Sequence, residues 1–178
     1  LAAARAWRTA MLWGLLFGGG VMLVGASKIA FMAWGSGLPA VGFKSVSGHA
    51  TGVTAVFPTL LFLLLHSAGP GLRRTGVAAG LGLGLVVGVL LVVYGFHTAA
   101  EAVAGCLLGA AISLAWIRLA GPGAMAPSPA RLGWFALAFL AGAWLMSFAH
   151  VGWWMIRAAT LLSGHERPYP LGNADTCC

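Results

Sequence analysis

Two short polar stretches interrupt an otherwise apolar chain, and both carry groups that do chemistry. The first, Lys44-Ser-Val-Ser-Gly-His-Ala50, falls where one apolar segment stops and the next begins. Its Ser47-Gly48-His49 offers a hydroxyl, a glycine amide that a ligand can approach closely, and an imidazole at a helix start. The first N–H groups of a helix have no partners of their own and the helix dipole favours negative charge there, so the run suits an anion. Ser-Gly ahead of a helix is also an ordinary N-cap, and the sequence leaves both readings open. The second stretch holds His97 and Glu101, four residues apart at the start of a later apolar segment and so expected on one helical face. Glu101 is one of three acidic residues in the chain, and the one that falls inside a predicted span. A carboxylate on one ring nitrogen fixes the tautomer and leaves the other nitrogen free to attack or to ligate. The alternative for this pair is a helix-start charge that stabilises the N-terminus.

The elements that must position these groups are apolar. Of 178 residues 60% are hydrophobic and 7% charged, where a soluble domain carries about a quarter charged residues. The mean hydropathy is +0.94, and several runs reach spanning length. The expected fold is all-α, a multi-span transmembrane helical bundle with about five spans, near 10–34, 49–66, 76–94, 97–119 and 132–162. That gives one membrane domain over 1–162, followed by a polar tail, 163–178, expected to be poorly ordered. Because the chain begins with Leu1 and not Met, an N-terminal segment is expected to be missing. Gly76, Gly80, Gly84 and Gly88 recur every fourth residue, and Gly105 and Gly109 repeat the spacing. Small faces of this kind let helices approach closely, within one chain or in a helix-mediated oligomer. Lys28 lies inside the first span, where it either serves a site or snorkels to the interface. The loop 35–47 holds Gly35, Gly37, Pro39 and Gly42 and cannot be helical throughout.

Charge sets orientation rather than a nucleic-acid partner. The net charge is +7, but the ten basic residues are scattered over loops and form no stripe. Arg5 and Arg8, Arg73 and Arg74, and Arg118 and Arg131 fall in alternate connections, which the positive-inside rule assigns to the cytoplasm. The Lys44–His49 loop and the junction before His97 then share the opposite, non-cytoplasmic face. Three cysteines, Cys106, Cys177 and Cys178, make neither a disulfide framework nor a metal spacing.

In order and spacing, residues 20–115 resemble the type 2 phosphatidic acid phosphatases, membrane relatives of acid phosphatases and vanadium haloperoxidases. Ser47-Gly48-His49, followed by Ala50-Thr51-Gly52, is similar to their central motif. Tyr94-Gly-Phe-His97-Thr-Ala-Ala-Glu101-Ala-Val-Ala-Gly105 resembles the second half of their Ser-Arg-x5-His-x3-Asp, and Lys28 stands where the lysine of their Lys-x6-Arg-Pro falls. The resemblance implies an integral-membrane protein, in a bacterial inner membrane, that hydrolyses a lipid phosphate monoester or polyprenyl pyrophosphate without a cofactor or metal. His97 is then the nucleophile of a phosphohistidine intermediate, Glu101 orients it, and His49 protonates the leaving oxygen. Lys28, Ser47 and the Gly48 amide hold phosphate oxygens. Phosphoryl transfer asks mostly for positioning and positive charge, which such a set supplies.

The departures from the pattern matter. The family arginine six residues before the nucleophile is Leu91, and the Arg-Pro after Lys28 is Gly35-Ser36. Losing one such donor costs about a hundred- to a thousand-fold in rate. Lys44 is the first candidate to replace the missing charge, with Arg157 and Arg167 behind it. A degenerate relative that binds lipid phosphates or acts as a membrane scaffold keeps the fold without the chemistry. A metal or haem protein would use His97, Glu101 and His49 as ligands, but leaves Ser47-Gly48 unexplained. Transport has less support, since no inverted repeat or interrupted helix pair is evident.

Overall fold

The computed structural model describes residues 2–120 and 151–171, with side chains in the first helix from Trp7 onward. Five α-helices make up the described fold: α1 (Ala2–Trp34), α2 (Gly48–Leu64), α3 (Pro70–Val93), α4 (Ala99–Ala120) and α5 (Val151–Ser163). A short 3-10 turn, Pro39–Val41, lies in the α1–α2 loop, and there is no strand among the described residues. The stretches Trp7–Trp34, Pro70–Val93 and Ala99–Ala120 are long and apolar enough to cross a membrane. This is a helical membrane protein, as the composition implies. The second expected span is shorter than read from sequence, 17 residues from Gly48 to Leu64, less than the ~20 a straight crossing needs. The part of the fifth expected span over 132–150 lies outside the described residues, as does Arg131.

α2 is the hub, and glycine puts it there. Gly76, Gly80, Gly84 and Gly88 are the buried positions of α3. A methyl group at the first three would collide with Leu65, the Pro58 backbone and Thr54, all on or just beyond α2, and at Gly88 it would meet Cys106 of α4. On the opposite flank, Gly105 and Gly109 of α4 lie against the Ser47 and Thr51 carbonyls. The glycine stripe is therefore a packing face, used within the chain. α2 answers with small and hydroxylated residues, burying Ala50, Thr51, Thr54, Ala55, Pro58 and Thr59. Thr51 and Thr59 return their hydroxyls to the carbonyls of Ser47 and Ala55, so neither is left bare in an apolar interior. α1 closes the other side. At its N-terminal half, Trp116 donates to the Thr9 carbonyl at 3.0 Å and packs edge-on against Trp13 and Phe62. Near its C-terminal end, Met32 and Ala33 pack on Ala159 of α5.

The packing sorts the helix ends. The C-terminal ends of α1 and α3 and the N-terminal ends of α2 and α4 gather at one end of the bundle. Arg8, Arg73, Arg74 and Arg118 belong to the other. The tail is better held than its polarity suggests. Over 164–171 it folds back on α1, Tyr169 N–H donating to the Met32 carbonyl at 2.9 Å and the His165 ring nitrogen standing 3.3 Å from the Ala33 carbonyl. Those carbonyls are among the last four of α1 and have no helical partner, so the tail supplies the cap that the helix lacks. Tyr169 also lies edge-on to Phe31 and against Gly35, which turns the chain out of α1 with φ +64.

Candidate active site

His97 and Glu101 meet as expected, although not as two neighbours on one helical face. α3 ends in a Schellman arrangement: Gly95 takes φ +73, its N–H reaches the Val92 carbonyl at 3.0 Å, and Phe96 N–H reaches the Leu91 carbonyl at 2.9 Å. His97 N–H donates to the same Leu91 carbonyl at 3.1 Å. The helix that sequence reading starts at His97 begins at Ala99, because Thr98 is its cap. Glu101 N–H donates to the Thr98 hydroxyl at 3.3 Å, and the Glu101 carboxylate accepts from Thr98 N–H at 3.2 Å. That is a capping box, and it turns the Glu101 side chain back towards the residues before the helix.

From there the carboxylate organises both polar stretches. Oε1 accepts from the backbone N–H groups of Lys44 and Ser45 at 3.1 and 3.3 Å, and Oε2 lies 2.9 Å from His97 Nδ1. Four donors thus satisfy a carboxylate that is only 5% exposed, as a buried charge requires. An ionised carboxylate only accepts, so Nδ1 carries a proton, and in the neutral imidazole that leaves the lone pair on Nε2. His97 and Glu101, with Lys44, Val92, Gly95, Phe96, Thr98 and Leu171, line a cavity of about 250 Å³. The Lys44 ammonium donates to the Leu171 carbonyl at 3.2 Å, so the folded-back tail forms one wall.

The central motif is drawn to the same end without entering that cavity. Ser47 N–H donates to the Glu101 carbonyl at 3.2 Å, which ties the start of α2 to the start of α4. The Ser47 hydroxyl accepts from Ala50 N–H at 3.4 Å and is fully buried against Gly105, so this serine is the N-cap of α2. His49 is exposed on the first turn of α2, and Gly48 lies against Val24 of α1. Lys28 is one turn above Val24, beside Ser27, whose hydroxyl accepts from Val46 N–H at 3.1 Å. Lys28 has no hydrogen-bond or ion-pair partner among the described residues. The structure therefore unites Lys44, His97 and Glu101 around one cavity, and sets Ser47, Gly48, His49 and Lys28 at the same end of the bundle but outside its lining. Among the described residues no three His, Cys, Asp or Glu side chains converge on a common point, so the His97–Glu101 pair is not extended into a ligand set.

Two participants escaped the sequence reading. Thr98 holds Glu101 through the capping box, and its signal was present in Thr98-x-x-Glu101. Leu171 gave none, because its part is played by a backbone carbonyl. Of the other candidate cations, Arg157 lies over the Trp153 ring, 5.3 Å from its centroid, and Arg167 is exposed on the tail.

No protein-family model matches the chain, and no solved structure does. A relative described as an uncharacterized 22.5 kDa protein in the cps region of Klebsiella pneumoniae is 41% identical over 107 residues. The match covers 60% of this chain and 51% of that protein, so the chain spans about half of the relative's length.

Proposed function

We propose that this chain is the phosphate-handling part of an integral-membrane phosphohydrolase acting on a lipid phosphate monoester or a polyprenyl pyrophosphate. One observation carries the reading: an imidazole whose Nδ1–H is held at 2.9 Å by a buried, fully satisfied carboxylate, on a cavity that a lysine also lines. That arrangement presents a nucleophilic nitrogen and stabilises the positive charge it gains on attack. In the reaction, His97 Nε2 attacks the terminal phosphorus and forms an N–P bond as the P–O bond to the leaving group, the lipid alcohol or polyprenyl phosphate, breaks. The leaving oxygen departs with a proton from His49. Water then gives a proton back to His49 and attacks the phosphohistidine, so that the N–P bond breaks and inorganic phosphate leaves. Lys44 contributes positive charge beside the phosphoryl oxygens, as loop and cavity geometry favour. The helix ends that bear this site lie away from the arginine-rich connections, which by the positive-inside rule supports a site on the non-cytoplasmic face, here taken as that of a bacterial inner membrane. The bacterial source of the relative is consistent with that location.

A second reading has its own support. Leu91 stands where the resembled pattern has arginine, Ser47 spends its hydroxyl on an N-cap, and no arginine lines the cavity. These features favour a relative that binds lipid phosphates without cleaving them. Purified protein incubated in EDTA with a panel of lipid phosphates and polyprenyl pyrophosphates separates the two. Phosphate release together with an acid-labile phosphoprotein supports the hydrolase; saturable binding without release supports the non-catalytic relative.

A further inference from the structure

We propose that the end of the bundle opposite His97 carries a binding site for an anionic phospholipid, built on Arg73 and Arg74. An open groove of about 350 Å³ lies there, lined by Phe62 of α2, Pro70, Arg73, Arg74 and Val77 of α3, and Ile117 of α4. Its walls are apolar and its polar groups are two adjacent guanidiniums at the first turn of a spanning helix. Arg73 is drawn over the Phe62 ring, 5.7 Å from its centroid. Neither guanidinium has a hydrogen-bond or ion-pair partner among the described residues. A guanidinium carries five donors; Arg74 is exposed, but Arg73 is half-buried, which is costly unless something accepts from it.

The chain itself has almost nothing to offer as that acceptor. Its three carboxylates are Glu101, Glu166 and Asp175. Glu101 is buried at the His97 end, and Glu166 lies on the tail that docks at the same end. The stretch 121–150 contains no Asp or Glu at all, and Asp175 lies outside the described residues. Arg8 and Arg118 add to the positive field at the groove's end of the bundle. Among the described residues no carboxylate reaches this groove, which leaves its arginines open to an anion from outside. In a helix bundle with apolar flanks, the anion at hand next to hydrocarbon is a lipid phosphate: the headgroup meets Arg73 and Arg74 while acyl chains lie along Phe62, Val77 and Ile117. Free inorganic phosphate would use the arginines and leave the apolar wall idle. This inference is independent of the proposed hydrolysis, whose groups lie at the other end.

Native mass spectrometry of the full chain released from mixed phosphatidylglycerol–phosphatidylcholine nanodiscs tests it. The wild-type protein should retain phosphatidylglycerol with roughly a thirtyfold preference over phosphatidylcholine, the yield of two basic side chains against an anionic headgroup. Arg73→Gln/Arg74→Gln should abolish that preference, and Arg8→Gln, outside the groove, should leave most of it. Millimolar inorganic phosphate should not displace the lipid. Equal retention of the two lipids by the wild type, a preference that survives the double substitution, or equal loss with Arg8→Gln would each overturn the proposal. Displacement by inorganic phosphate alone would also overturn it, in favour of a simple anion site. The wild-type arm stands even if the double variant fails to fold.

Discussion

At the residue scale, the site turns on Glu101, which carries more of the structure than its pairing with His97 implies. Removing His97 leaves the carboxylate its three backbone donors, so His97→Ala should fold normally and release no phosphate from a substrate that the parent cleaves. Parental activity in the purified variant would end the phosphohistidine reading. Glu101→Gln tests more than catalysis. An amide has one acceptor oxygen, so its NH₂ must face either the Lys44 and Ser45 N–H groups or the Thr98 N–H and His97. Donors left facing a donor cost about 1–3 kcal/mol. The variant should therefore lose stability in a thermal melt as well as most of its turnover. The spacing of His97 and Glu101 was legible in the sequence; the two backbone partners 57 and 56 residues away were not, because a main-chain donor leaves no mark on residue type. Ser47-Gly48 was legible as two alternatives, and the buried cap is the one seen.

The same scale decides the question of charge. Lys44 is the described cation that shares the cavity with His97. Lys44→Ala should cut turnover about a hundredfold, as loss of one preorganised donor does, while Arg73→Ala at the far end leaves it near the parent. Leu91 offers its carbonyl to both Phe96 and His97, so its own backbone abuts that of His97. Leu91→Arg should then raise turnover per folded molecule, at some expense in stability for a poorly partnered guanidinium. If Lys44→Ala is silent and Leu91→Arg gains nothing, the non-catalytic reading stands.

At the element scale, the bundle is held by backbone approach more than by large side chains. The fourfold glycine spacing of α3 announced a packing face, but not that its partner would be the short α2. That choice rests on Pro58, whose missing N–H and compact ring let Gly80 come against the backbone itself. Gly80→Ala has no flexible neighbour to push aside and should destabilise by about 1–3 kcal/mol or more. Gly82, on the same helix with nothing within 4 Å of its added Cβ, should tolerate alanine and gain roughly 0.5–1 kcal/mol in helix preference. Paired thermal melts in one detergent measure the contrast, and equal loss at both positions would refute the packing account. Boundaries were less legible than faces. The start of α4 shifted past His97 because the Schellman turn and the capping box are written in single residues, Gly95 and Thr98, that periodicity does not weigh. The docking of 164–171 was hidden for a similar reason: it uses the uncapped carbonyls at the end of α1, which no composition reveals.

At the scale of the whole molecule, the arrangement of helix ends makes the orientation testable. Contacts that bind Ser47 to Glu101 at one end and Trp116 to Thr9 at the other separate the charged residues into two surfaces: one with Lys44, His97 and Glu101, the other with Arg8, Arg73, Arg74 and Arg118. Basic residues resist translocation, so the arginine end should face the cytoplasm and the Lys44 loop the opposite side. Ala40, exposed in the 3-10 turn of that loop, and Ser67, exposed between α2 and α3, report the two surfaces without touching the site. In a background cleared of the three native cysteines, Ala40→Cys should react in intact cells with a membrane-impermeant maleimide. Ser67→Cys should react only after the membrane is opened. Because α2 is only 17 residues long, this pair also tests whether so short a helix, shielded by α3 and α4, carries the chain from one surface to the other. Labelling of both positions from outside would mean that α2 does not cross, and would remove the shared outer surface on which the proposed reaction depends.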